Sequence, residues 1–231
     1  TVDELQAIQT NRDFPLDGFY VQTADIDASA TVNWNGGKGL SPIGDDVISF
    51  TGTYNGNGFA IEELTIERPD EEYVGLFGLV GENAQLEDIV LKDTKVQGSD
   101  IVGGLAGSSN GKIQDSEVSG NIVSEEKAGG LVGSNGDDGL IQNSVSTGSV
   151  DGADAGGLVG TSGGVIQSSK ATGNVEGTYR RTVGGLVASQ SGTIEDSKAT
   201  GKVVGGGSRV GGLVGSNGGT IKNSRAEGDV V

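Results

Sequence analysis

A five-residue motif that returns at nearly constant spacing constrains the fold of this chain more than any other feature of its sequence. The motif reads GGLAG or GGLVG at 103–107, 129–133, 156–160 and 211–215, and GGLVA at 184–188. A divergent copy, VGLFG, lies at 74–78, and successive motif leucines are 26 to 29 residues apart. Self-similarity at such a period is typical of repeat proteins, in which each unit buries its apolar face against its neighbours.

Further columns of residues keep register with the motif. An isoleucine follows each regular motif, and a serine lies three residues after that isoleucine. These serines are Ser116, Ser144, Ser169, Ser197 and Ser224. The apolar residues are β-branched, alternate with polar ones and are separated by Gly, Ser and Asn, which predicts short strands. We therefore expect an all-β fold, a right-handed parallel β-solenoid (β-helix) with about 27 residues and three short strands per coil.

Each column has an expected physical role. The Leu, Ile and Val columns are expected to stack in the interior and bury apolar surface. The paired glycines are expected at a sharp corner, where a positive φ or a close backbone approach excludes a Cβ atom. The serine column is expected to form a structural hydrogen-bond ladder.

The first hundred residues depart from the repeat. Thr1 to Glu4 has the pattern of a capping box, and Leu5 and Ile8 form an apolar stripe, which predicts a short helix over 2–9. Strands are expected at 18–23 and on both sides of the Asn-Gly-Asn-Gly turn at 55–58.

These signals predict one continuous domain in three parts. An N-terminal cap with a short helix and irregular strands occupies 1–48, atypical coils occupy 49–100, and regular repeats occupy 101–231. The cap is expected to cover the end of the apolar core with its large side chains, namely Phe14, Leu16, Phe19, Tyr20 and Trp34.

Composition excludes several classes of function. The chain has no Cys and no His, so disulfides, thiolate nucleophiles, iron–sulfur clusters, zincin motifs and Ser-His-Asp triads are excluded. Its net charge of −17 argues against nucleic acid or anionic lipid as a partner. Most of this charge lies in residues 1–100, which hold 19 acidic and 5 basic side chains. No apolar run approaches the ~18 residues of a membrane span.

A polysaccharide-active β-helix enzyme is the remote alternative, because such enzymes need acid/base carboxylates in a groove. One outward column carries Asp115, Asn143, Ser168, Asp196 and Asn223. Its two acids lie three coils apart, roughly 14 Å by strand stacking. That separation exceeds the ~9.5 Å limit for a glycosidase pair. We therefore predict no catalytic residues.

Oxygen-rich turns could hold calcium, but their spacing is wrong for known motifs. Asp137 and Asp138, and Asp25 with Asp27, match neither the EF-hand nor the RTX repeat, so we predict solvated acidic turns and no metal or cofactor residues. The link loops between units vary most, at 124–127, 151–154, 176–182 and 205–209. The third contains Tyr179 and the basic doublet Arg180–Arg181, which we interpret as solvated rather than as a binding site.

The segment GGLVGSNGGTIKNSRAEGDV at 211–230 resembles the motif of the GLUG family of bacterial and archaeal surface proteins. The upstream segments DELQAI, FYVQTADID, PIG, FTGTYNGNGFAI and VGLFG are similar to what commonly precedes GLUG repeats. Two positions depart from the pattern, because Ala188 replaces the last Gly of GGLVG and the copy at 74–78 lacks the first Gly. The resemblance implies a secreted or cell-surface β-helix that supports adhesion or display. The family motif contains no catalytic residue that could be assigned to a position in this chain.

We therefore expect a non-enzymatic extracellular module, a rigid scaffold on a prokaryotic cell surface, exported by an N-terminal signal that is then removed. The alternative is a subunit of an extracellular filament that stacks through the solenoid ends, or a viral fibre segment. The apolar C-terminal residues Val230 and Val231 then make that end a surface for self-association or for a neighbouring chain.

Overall fold

A computed structural model describes residues 1–177, 181–207 and 209–231. The chain begins with helix α1 (Val2–Thr10), whose first turn is closed by the predicted capping box. The Glu4 backbone N–H donates to Thr1 Oγ1 at 3.3 Å, and the Thr1 amino group donates to the Glu4 carboxylate at 2.7 Å. The predicted helix is therefore confirmed. A second helical segment, a 3₁₀ turn at Ser29–Gly37, was not predicted.

The early strands are present where the sequence predicts them, but they do not form a hairpin. They are β1 (Phe19–Val21), β2 (Ile26–Asp27), β3 (Thr53–Asn55), β4 (Ala60–Glu62) and β5 (Thr65–Arg68). Strand β3 pairs in parallel with β1, and β4 pairs in parallel with β2. The Asn-Gly turn between β3 and β4, with φ of 53° at Asn57 and 74° at Gly58, therefore leads the chain from one sheet into another.

The rest of the chain is a run of short strands. The first irregular coil holds β6 (Tyr73–Val74), β7 (Phe77–Val80), β8 (Gln85–Glu87) and β9 (Val90–Gly98), and the next holds β10 (Ile101–Gly103), β11 (Ala106–Ser109), β12 (Lys112–Gln114) and β13 (Glu117–Ser124). Two coils follow with β14 (Lys127–Gly129), β15 (Val132–Asn135), β16 (Leu140–Gln142), β17 (Val145–Ser146), β18 (Ser149–Gly152), β19 (Asp154–Gly156), β20 (Val159–Ser162), β21 (Val165–Gln167), β22 (Lys170–Ala171) and β23 (Val175–Gly177).

The last two coils contain β24 (Thr182–Gly184), β25 (Val187–Gln190), β26 (Thr193–Glu195), β27 (Lys198–Ala199), β28 (Val203–Gly205), β29 (Arg209–Gly211), β30 (Val214–Asn217), β31 (Thr220–Lys222) and β32 (Arg225–Ala226). The coils that begin at β14, β19 and β24 each hold five strands, not the three predicted. The difference arises because each predicted motif strand is divided at its second Gly and Leu, as at Gly130–Leu131, and the last strand of the coil is divided before its aliphatic residue, as at Thr147–Gly148.

Equivalent strands of successive coils stack into four parallel sheets. Sheet 1 has eight strands, in the order β1-β3-β8-β12-β16-β21-β26-β31. Sheet 2 has twelve, and sheets 3 and 4 have six each, built from β6-β10-β14-β19-β24-β29 and β7-β11-β15-β20-β25-β30. Like residues pair with like, as Ile113 with Ile141 and Ile141 with Ile166. The predicted parallel β-solenoid is confirmed, with six coils that contribute to all four sheets.

The main apolar core runs along the solenoid axis and ends under the cap. A second, smaller core cluster lies in the later coils and consists of Ala128, Val150, Ala155, Val175, Val183 and Val203. The motif leucines from Leu76 to Leu186 are fully buried, and so are the isoleucines from Ile113 to Ile194. Leu5 and Ile8 of α1 join this core, and Phe14, Leu16, Tyr20 and Trp34 pack against it as predicted. The prediction for Phe19 is wrong, because this side chain is 74% exposed. It alternates with Tyr20 along β1 and therefore lies on the outer face of sheet 1.

Candidate functional surfaces

The paired glycines of the motif are explained by close packing of the backbone. A Cβ atom on Gly156 would lie 1.9 Å from the Val159 carbonyl oxygen, and one on Gly157 would lie 2.2 Å from the Gly185 carbonyl oxygen. Of the two expected causes, only the close approach holds, since none of the described motif glycines has a positive φ. This corner has no space for side chains that could act on a ligand.

The left-handed corner lies elsewhere, in the column that the sequence analysis examined for catalytic acids. Each member has a φ near +50°; the values are 51° at Asp115, 51° at Asn143, 50° at Ser168, 51° at Asp196 and 48° at Asn223. Asn and Asp enter this region more readily than most L-residues. The Asn143 side-chain amide also donates to Asp115 Oδ1 at 3.1 Å. Backbone geometry therefore accounts for the residue types in this column.

One member of the corner column was not predicted from the sequence. Asp88 has a φ of 50° and precedes Asp115 by one coil, about 4.8 Å along the stack. The estimate based on Asp115 and Asp196 therefore overlooked a nearer pair. Ile89 occupies the serine position of that coil, which hid the alignment, although the shared spacing to the preceding strand could have shown it. Neither carboxylate lines the two N-terminal grooves described below.

The serine column forms the predicted ladder. The backbone N–H of Ser116 donates to Ser144 Oγ at 3.3 Å, that of Ser144 to Ser169 Oγ at 3.2 Å, and that of Ser169 to Ser197 Oγ at 3.1 Å. Each of these hydroxyls donates in turn to the carbonyl two residues earlier, at 2.8 Å from Ser144 to Gln142. The hydroxyls are thus engaged in structural hydrogen bonds.

Two of the acidic residues considered as calcium ligands, Asp25 and Asp27, accept backbone hydrogen bonds near the N-terminal end of the solenoid. Asp25 Oδ1 accepts the Ala60 backbone N–H at 2.8 Å, and Asp27 Oδ1 accepts that of Ser29 at 2.9 Å. The hydrogen bonds from Ser29 lower the pKa of Asp27, because they favour its charged form. Among the described residues, no group of three or more His, Cys, Asp or Glu side chains is arranged to hold a metal ion.

The link loops lie along one edge of the solenoid and are joined by polar contacts between coils. Arg181 Nη2 donates to Glu126 Oε1 at 3.0 Å, across the coil that lies between them. The Thr182 N–H donates to Asp154 Oδ1 at 2.9 Å. Burial and the neighbouring Glu176 carboxylate raise the pKa of Asp151. Tyr179 and Arg180, which belong to the link loop that contains the basic doublet, lie outside the described residues.

A polar groove of about 410 Å³ lies between α1 and the segments that follow the 3₁₀ turn. Gln6 accepts the Ser41 N–H at 2.9 Å and Gln9 accepts that of Gly44 at 2.8 Å, so two glutamines fasten the helix. Arg68, which is 7% exposed, donates to the Leu40 carbonyl at 3.0 Å and to Glu71 at 2.7 Å. The polar groups of this groove hold the cap in place.

A second, more apolar groove of about 530 Å³ separates α1 from β1 and β2. The apolar side chains of Leu5, Phe14 and Tyr20 line it, with Tyr54 beneath. Burial raises the pKa of Tyr54, since the charged phenolate is disfavoured there. Glu4, Asp25 and Asp27 also border the groove.

Taken together, the stacked register and the structural use of the repeated polar columns define the chain as a parallel β-solenoid repeat protein. The family model described as the GLUG motif matches residues 179–204 and 206–231, the last two units. The chain therefore carries GLUG repeats, as its sequence pattern predicts. None of the helices in the described ranges is long and apolar enough to cross a membrane.

Two relatives match this chain over part of their length. Halomucin from Haloquadratum walsbyi is 39% identical over 146 residues, 62% of this chain. A protein of Evansella cellulosilytica, named as a candidate Gly-rich membrane protein, is 38% identical over 111 residues, 46% of this chain. The matched segments span only 2% and 13% of those two proteins, which are much longer.

A solved structure from Bacteroides ovatus, named as a candidate immunoglobulin A1 protease, has the same fold. It superposes with a TM-score of 0.68 over 94% of this chain and 71% of its own, at 18% sequence identity. The superposition shows a common fold, and at this low identity no activity can be inferred from it.

Proposed function

We propose that the chain is a non-enzymatic structural module, a rigid β-solenoid scaffold in an extracellular protein at a prokaryotic cell surface. The observation that carries the proposal is the structural use of the repeated polar residues. The serine hydroxyls complete a buried ladder, and the Asp and Asn corner residues satisfy a left-handed backbone. Repetition of these residues therefore serves stacking, which is what a scaffold of fixed length requires.

The relatives favour a location outside the cell. One is a halomucin and the other is named as a candidate membrane protein, and they are 39% and 38% identical to this chain over the matched segments. The acidic composition, with a net charge of −17, also favours solubility in high salt. We propose that the chain is exported and that its link loops are displayed along one edge at the coil spacing of about 4.8 Å.

The location is tested by antibodies against the folded chain applied to intact cells that produce it. Surface labelling, and its loss after brief external protease treatment, are expected. Labelling that requires permeabilised cells would refute an extracellular location.

The scaffold role is tested by small-angle scattering of the purified chain, which should give one rigid elongated particle from low to molar salt.

The non-enzymatic role is tested with panels of polysaccharides and peptides, on which the protein and a D88N/D115N double variant should be equally inactive. Turnover that the double variant loses would overturn the proposal and assign the Asp88–Asp115 pair to catalysis.

Self-association through the last coil is the second candidate function. Ile221 is 36% exposed, whereas the four preceding regular members of its column are fully buried, and within the described ranges β31 pairs only with β26. An apolar edge of this kind favours pairing with another chain. Light scattering over a range of concentration and salt should detect assemblies, and Ile221→Lys should abolish them. Monomers under all conditions would leave the single scaffold module.

A further inference from the structure

We propose that the groove between α1 and β1 binds an extended peptide in which apolar and basic residues alternate, by adding it as a strand to the free edge of β1. This inference concerns the N-terminal end of the solenoid and is independent of the scaffold role. It rests on three features of the groove: an unpaired strand edge, an apolar interior and an acidic rim.

The first feature is the direction of the backbone groups in β1, which is a terminal strand of sheet 1 and, among the described residues, pairs only with β3. The Gln22 N–H donates to the Asn55 carbonyl at 2.8 Å, and the Gly18 carbonyl accepts the Thr53 N–H at 2.9 Å. In a parallel pair, alternate residues direct their N–H and C=O groups to opposite sides. The polar backbone groups of Phe19 and Val21 therefore face away from β3, towards the open edge.

The second feature is the apolar groove beside that edge. Its volume of about 530 Å³ lies between α1, which contributes Leu5 and Ile8, and the inward-facing Tyr20 of β1. An added strand would place alternate side chains into this space and the others over the outer face. On the outer face, Phe19 is 74% exposed and Val21 is 47% exposed, so apolar partners would gain contact on both sides.

The third feature is the charge of the groove. Its lining includes the carboxylates of Asp25 and Asp27 and that of Glu4, which is paired with the Thr1 amino group, and no Lys or Arg side chain. Oδ1 of Asp25 and Oδ1 of Asp27 each accept a backbone N–H group, and a carboxylate has capacity to accept further hydrogen bonds from a cation. Charge complementarity therefore favours Lys or Arg on the peptide, and strand addition supplies affinity through main-chain hydrogen bonds.

The probe for the test is a fluorescent hexapeptide of alternating Lys and Ile, measured by fluorescence anisotropy with the full chain at low salt. Binding is expected, and it should weaken as salt is raised. Val21→Pro removes the one N–H that faces the open edge at that position, and it should weaken binding about fivefold or more. Val21→Ala keeps that N–H and should bind nearly as well as the unchanged chain. Circular dichroism confirms that both variants are folded.

Matched peptides and variants separate strand addition from simple charge attraction. A peptide N-methylated at alternate residues keeps its charge but loses its main-chain donors, and it should bind at least fivefold more weakly. Asp25→Asn with Asp27→Asn should weaken binding and flatten its salt dependence, whereas Asp196→Asn, on a distant coil, should change neither. Glu in place of Lys in the peptide should abolish binding.

Three results would overturn the proposal. The first is the absence of binding at millimolar peptide. The second is equal binding of the N-methylated peptide or of Val21→Pro, which would reduce the interaction to charge attraction. The third is a dimer of the unchanged chain that Val21→Pro dissociates, which would make a second copy the occupant of the edge.

Discussion

Replacing one rung of the serine ladder tests whether the ladder stabilises the solenoid. Ser169 is 2% exposed; its hydroxyl accepts the Ser144 N–H at 3.2 Å and donates to the Gln167 carbonyl at 2.8 Å. Ser169→Ala removes both bonds and leaves the Ser144 N–H buried without an acceptor, since Ser144 itself is fully buried. An unsatisfied buried donor costs about 1–3 kcal/mol, so we expect a loss of about 2 kcal/mol in the free energy of unfolding.

Urea denaturation followed by circular dichroism measures this loss directly. For a chain of this length, about 2 kcal/mol corresponds to a fall in Tm of about 4–8 °C. Ser189→Ala is the matched control, because Ser189 is a half-buried strand serine for which the described residues supply no hydrogen-bond partner. The control should change stability by less than about 0.5 kcal/mol. Equal effects of the two substitutions would refute the structural role of the ladder.

Three further predictions concern single side chains. Ser168→Gly should raise the urea midpoint, corresponding to about 0.5–1 kcal/mol, because it relieves the left-handed backbone at φ 50°, whereas Ser168→Val should lower it. Asp151→Asn should stabilise the chain at pH 7, because a raised folded pKa penalises the charged form, and this effect should be lost as pH falls through the raised folded pKa towards the ordinary value of 3.8; thermal unfolding against pH checks this. Hydrogen bonds from Lys198 and Arg225 lower the pKa of Glu227 to about 2, so its contribution to stability should be lost between pH 4.5 and 2, and Glu227→Gln should remove that part of the acid sensitivity in the same assay.

The sequence predicts the stacked architecture because the same side chains must pair with themselves in every coil. A period of 26 to 29 residues with Leu, Ile and Ser in fixed columns is compatible with parallel, in-register strands, and it placed the core and the ladder correctly. The capping box at Thr1 was also readable, since the capping side chains are adjacent in sequence.

The corners were not predictable in the same way. A left-handed corner depends on the φ of one residue, and Asp, Asn and Ser are equally common in solvated turns. The sequence therefore indicates outward acids at Asp115 and Asp196, and it does not show that Asp88 belongs to the same column. The exposure of Phe19 was missed for a related reason, because a three-residue strand gives too little alternation to tell its inner face from its outer face.

The sequence also does not show whether a motif glycine is required by its φ or by a close backbone contact, and substitutions at these glycines test the contact. Gly156 and Ala188 occupy the first and last positions of the motif in successive coils, and both are buried. A Cβ on Gly156 would lie 1.9 Å from a backbone oxygen of its own coil, which cannot move without breaking sheet 4. At the last position a Cβ on Gly160 would lie 2.6 Å from the Gly133 carbonyl, and Ala188 shows that the stack adjusts to a methyl group there.

Gly156→Ala should therefore cost more than about 3 kcal/mol or prevent folding. Ala188→Gly should cost about 1 kcal/mol, through the lost methyl burial and the added flexibility of glycine. Gly160→Ala should lie between the two, because its column already accepts alanine in the next coil. Urea denaturation and soluble yield rank the three variants. A Gly156→Ala protein as stable as Gly160→Ala would show that the motif glycine is not required by the carbonyl it faces, and the steric account of the GGL corner would then be wrong.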